Sequence, residues 1–155
     1  MALSPLAFSV TSAGLTIAST NYSNGDTLGT LISVPNAVAS AGGFGYLRNL
    51  RINDYADIVS SVTMFLFRDS VTLAADNAAW AVSDADSDQM IDQLMVPLVD
   101  NGANRQGAIR PQTMFDCVGT TLYIGLRADS IGAAFFTPTT GATDLRIRGW
   151  IDRVT

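Results

Sequence analysis

Polar and apolar residues alternate along much of this 155-residue chain. A period of two puts every second side chain on one face of an extended strand, so the pattern directs the chain toward sheets. It is clearest at residues 144–152. There Leu145, Ile147 and Ile151 face one way, and Arg146, Arg148, Trp150 and Asp152 face the other. Residues 121–127 repeat it, with Leu122, Ile124 and Leu126 inward. Residues 62–67 are apolar on both faces and read as a central, doubly covered strand; 47–52, broken by Arg48 and Arg51, reads as its neighbour. Residues 27–34 form a further β-rich run, closed by Pro35-Asn36, and 94–99 forms another, whose Pro97 implies an edge or a bulge.

Turn residues separate these runs: Asn24-Gly25-Asp26, Ala41-Gly42-Gly43, Asp100-Asn101-Gly102 and Pro138-Thr139-Thr140-Gly141. Seven or eight short strands so spaced predict an all-β fold, a β-sandwich or jelly roll. One segment departs from the pattern. Ser83 is a helix N-cap candidate, and the early Asp84 and Asp86 suit the positive end of a helix, so a short helical segment is expected near 84–92. The single sandwich domain is expected to span 21–155. Residues 1–20 are expected to form an N-terminal arm or hairpin, with 6–10 and 14–19 as its halves. The expected core comprises Leu122, Ile124, Leu126, Leu145, Ile147, Ile151, Met64, Phe65 and Leu66.

Composition narrows the function. The chain has no lysine, glutamate or histidine: its nine basic residues are all arginine and its fourteen acidic residues all aspartate. Imidazole bases, triads built on them, Schiff-base lysines and P-loop lysines are therefore excluded. Only 15% of residues are charged and 48% are apolar, a balance that fits a surface partly covered in a permanent assembly. A net charge of −5 argues against nucleic acid and against anionic membranes as partners. No apolar run is long enough to span a bilayer as a helix, and the first residues lack the basic region of a secretory signal. Cys117 has no second cysteine to pair with, which fits synthesis in a reducing cytoplasm; it reads as a small buried hydrophobe.

Several motifs yield to plainer readings. Asp84, Asp86, Asp88 and Asp92 superficially suggest a calcium loop, but Gln89 stands where that loop needs glycine and Met95 where it needs a bidentate glutamate. A capped helix start is the better reading, and no metal or cofactor is expected. Paired aspartates for glycoside hydrolysis lack an aromatic-rich cleft signal. Gly42-Gly43-Phe44-Gly45 is a turn, since no helix pattern follows it. Arg146 and Arg148, placed near Arg127, suggest an anion patch that pairs with aspartates across a strand or subunit boundary. Trp80 supplies a large anchor for the core or for a partner.

The stretches 22–29, 42–47, 65–69, 76–80, 84–86 and 122–128, in that order and spacing, resemble a group of small tailed-phage head proteins, the capsid decoration or cement proteins. The resemblance covers about residues 22–154. It implies a β-sandwich or jelly-roll subunit, usually a homotrimer, on the capsid exterior. There it would bridge neighbouring major capsid protein subunits and carry no catalytic residue. Two other functions compete: a different virion part (tail, head-completion or fibre tip), and a carbohydrate-binding module on the same fold. For the interface, the expected residues are Leu3, Pro5 and Leu6 of the arm, Phe135 and Phe136 in the loop 129–143, and Arg146 and Arg148.

Overall fold

The computed structural model describes residues 2–11, 17, 22–55, 61–129 and 145–155. The strand expected over 14–19, the turn at 138–141, and Phe135 and Phe136 lie outside the described residues. Among the described residues, ten strands and one helical turn follow one another: β1 (Leu3–Thr11), β2 (Ile32–Val34), β3 (Phe44–Asp54), β4 (Ser61–Phe67), α1 (Asp84–Ser87), β5 (Met90–Pro97), β6 (Val99–Asp100), β7 (Arg105–Ile109), β8 (Thr113–Asp116), β9 (Leu122–Ala128) and β10 (Leu145–Val154).

Two antiparallel sheets form. One runs β1-β10-β3-β7-β6, with β8 also paired to β3; the other runs β2-β9-β4-β5. Setting aside the short β6 and β8, the eight remaining strands in chain order fall as first-eighth-third-sixth and second-seventh-fourth-fifth. That interleaving of two Greek keys is a jelly roll. Its core lies between the sheets and joins Leu47, Leu50 and Ile52 of β3 to Met64 and Leu66 of β4, Ile124 of β9 and Ile147 of β10, all fully buried. Every residue expected in the core is buried.

Phe65 lies on the far side of β4 from that core, in a second cluster with Phe67 and Val71. The loop that follows β4 covers this outer face, so β4 is buried along its whole length. Trp80 stacks on Phe65 with ring centroids 4.1 Å apart.

The local expectations meet three corrections. The segment 47–52 does not neighbour 62–67: β3 belongs to the opposite sheet and faces β4 across the core. Its inward residues alternate with half-exposed ones, as suits a strand covered on one side. The run 27–34 is regular only over β2, because Gly29 takes φ +68° and breaks the extended backbone before it. The strand expected at 94–99 starts earlier and divides after Pro97. β5 is an edge strand paired to β4, whereas Val99–Asp100 pairs with β7 in the other sheet. Proline ends the ladder where the chain crosses between sheets.

The helix is one turn. Ser83 caps it, its hydroxyl accepting from the Asp86 N–H at 3.1 Å, and β5 begins at Met90. Within 1–20, Leu3–Thr11 is the described strand, and its partner is β10, from Leu3 opposite Val154 to Thr11 opposite Arg146.

Candidate interaction surface

The outer face of the β1-β10-β3-β7 sheet collects most of the arginine. Register sets the rows. Ser9, Arg148, Arg51 and Ala108 stand across four strands; the next row holds Ala7, Trp150 and Asn49; another holds Arg146, Asn53 and Gln106. Arg148 and Arg51 are therefore directly opposed like charges, an arrangement that costs stability unless something else is present to offset it. Arg51 donates to the Gln106 side chain. Arg110 follows the end of β7 and borders the same region.

A bulge adds a fifth arginine. The β3–β10 register steps between Trp150 and Ile151: Trp150 faces Asn49 and Ile151 faces Leu47, so Arg48 has no opposite residue. Arg48 Nε donates to Asp152 at 2.8 Å and Nη1 to Gln112 at 3.0 Å, with the guanidinium 4.9 Å from the Tyr46 ring centre. Arg48, Arg51, Arg110, Arg148, Asn49 and Trp150 line an open cleft of about 730 Å³. Trp150 is 48% exposed. Among the described residues the cleft lining contains no carboxylate. Arg110 and Arg148 have no ion-pair partner there, and both are exposed.

The expected interface residues divide. Leu3, 49% exposed, and Pro5, exposed, lie on β1 beside β10, whereas Leu6 turns in and packs on the core with Phe8. Arg146 sits 6.0 Å from the Tyr55 ring centre at one end of the face. Arg127 does not join Arg146 and Arg148. It lies on β9 of the other sheet, 5.2 Å from the Phe65 ring centre, and pairs with Asp129 at 3.0 Å. The outward side of β10 was legible as Arg146, Arg148 and Trp150. Arg48, Arg51 and Arg110 were missed, because which strand lies beside β10, and in what register, leaves no mark on a single strand's pattern.

The stretches that carried the resemblance meet elsewhere, and several of them build the covered outer face of the other sheet. Tyr22 donates its hydroxyl to Asp76 at 2.7 Å, and the Gly29 N–H donates to the same carboxylate at 2.5 Å. The Trp80 N–H donates to Gly25 O at 2.9 Å, and the Gly25 N–H to Ala128 O at 2.7 Å. A methyl group on Gly125 would stand 2.7 Å from Trp80 Cη2, so that glycine admits the indole. These residues hold the loop 68–82 on the sheet, which is a structural task. Asp86 is turned back to the Ser83 hydroxyl and the Thr72 N–H, and Asp92 accepts from Thr113 Oγ1 at 2.8 Å.

No family model matches the chain, and no curated protein matches it. Among solved structures it is similar to the infectious bursal disease virus VP2 subviral particle. That likeness has 9% identity and a TM-score of 0.39, over 96% of this chain and 31% of that one. Israeli acute paralysis virus, as a full particle, gives 12% identity and a TM-score of 0.36 over 97% of this chain and 66% of that one. Desmodium yellow mottle tymovirus gives 12% identity and 0.31 over 98% and 87%. The chain thus spans less than two thirds of the first two.

Proposed function

We propose that this chain is a structural component of a virus particle. In that role it decorates and stabilises the outer surface of a phage head by bridging major capsid protein subunits, as a homotrimer, without catalysis. The observation that carries the reading is the arginine-lined face of β1, β10 and β3, with Leu3 and Trp150 left exposed on a jelly roll whose opposite sheet is already covered by its own loop. Arginine and exposed tryptophan are the residues that anchor protein interfaces, arginine through its planar, weakly hydrated fork and tryptophan through its area. Jelly rolls serve capsids and lectins alike, so the fold leaves the choice to the surface. An acidic protein outside the shell has no need to meet packaged DNA, and contacts repeated by symmetry gain strength by avidity.

Quantitative mass spectrometry of purified particles, with heat challenge of particles lacking the chain, tests the reading. Many copies per particle and earlier heat rupture in its absence are expected. A few copies confined to the tail, or unchanged heat resistance, would reject it.

A further inference from the structure

Arginine is concentrated on one face of this molecule. Five of the nine arginines, Arg48, Arg51, Arg110, Arg146 and Arg148, belong to one sheet face, and Asp152 is the carboxylate paired there. Three aspartates, Asp84, Asp86 and Asp88, lie in α1 and at its C-terminal cap. No residue of that turn is buried, and Asp84 and Asp88 are exposed, with no side-chain partner among the described residues. Asp88 is still helical (φ −65°, ψ −17°), and its N–H donates to Asp84 O at 3.2 Å, so the two carboxylates lie one turn apart on one side of α1. Side chains so related stand about 5–6 Å apart at Cβ. Directly opposed residues of an antiparallel pair, such as Arg51 and Arg148, stand about 4.5–5.5 Å apart.

We infer that the arginine cleft receives the Asp84–Asp88 turn of a second copy of this chain, Asp84 and Asp88 meeting Arg51 and Arg148. The inference rests on reading this face as an interface and names the chain itself as its first occupant. Two like charges held opposite each other are offset by two carboxylates at matching spacing, and the open cleft admits a turn none of whose residues is buried in its own subunit. A nucleic acid would meet the same arginines, but the remaining surface carries most of the fourteen aspartates and repels it at long range. The contact joins two different patches, so it is heterologous and propagates to a ring or a chain of copies.

Sedimentation velocity of the purified full chain tests this without particles, so its failure is separable from failure of the virion role. At about 50 mM salt the chain associates, and at about 500 mM the association weakens markedly. Arg51→Asp with Arg148→Asp weakens self-association about tenfold or more, as does Asp84→Arg with Asp88→Arg; mixing the two double variants restores a complex. Circular dichroism of each variant checks that the exposed substitutions leave the fold intact, and the restored mixture is an independent check. The inference is overturned if the wild-type chain stays monomeric at low salt, or if the Asp84 and Asp88 variant associates like wild type. It is also overturned if the mixture fails to associate, or if a single-stranded oligonucleotide binds the Arg51 and Arg148 face more tightly than the chain binds itself.

Discussion

Phe8 on β1 lays its ring over the bare backbone of Gly149, its register partner on β10. A side chain at position 149 would fall inside the ring's volume. Phe115 and Gly45, also register partners, repeat the arrangement: a methyl group on Gly45 would lie 2.6 Å from Phe115 Cζ. A ring that fills the space above a strand glycine recovers packing the glycine lacks and fixes the register at that point.

Gly149→Ala is therefore expected to destabilise the chain by about 1–3 kcal/mol through overpacking. Phe8→Leu combined with it should recover part of that loss. Urea denaturation of the two variants and their combination measures both. Wild-type stability in Gly149→Ala alone would mean that the ring does not rest there.

Neighbours on β10 should behave oppositely. Ile147 is fully buried. Ile147→Ala should cost about 2–5 kcal/mol. Arg148 is exposed beside Arg51. Arg148→Ala should change monomer stability by no more than about 0.5 kcal/mol. Equal losses at both positions, measured by denaturation under high salt, would contradict the assignment of faces.

Thr63 is fully buried on β4, and among the described residues its hydroxyl has no hydrogen-bond partner. Valine keeps the shape and removes the unsatisfied group. Thr63→Val is expected to stabilise the chain by about 1 kcal/mol, visible as a higher urea midpoint. A lower midpoint would show that the hydroxyl is satisfied.

Burial, reinforced by Asp116 and partly offset by Arg68, pushes the Cys117 thiol up from 9.0 to about 12. The folded state thus holds this proton after the unfolded chain has released it. The contribution is fully present below pH 9 and is lost as pH rises from there toward 12. Stability measured at about pH 8 and about pH 10.5 should fall more in wild type than in Cys117→Ala, and the difference isolates this group. Native protein should also resist thiol reagents at neutral pH. Equal falls in the two proteins would show that the thiol is not shielded.

The sequence by itself determined which residues are inward on β9 and β10. A side chain's face depends only on its parity along an extended backbone, and burial at Leu122, Ile124, Leu126, Leu145 and Ile147 follows it. It also determined the turns at Asn24-Gly25 and Gly102 and the cap at Ser83, since these depend on local backbone freedom and a nearby hydroxyl. Tertiary structure alone decided that β3 lies beside β10 and not beside β4, that Arg51 faces Arg148, and that Arg48 bulges toward Asp152. Strand partnership and register arise from packing two sheets over one core, across separations of about a hundred residues, and no local pattern encodes them.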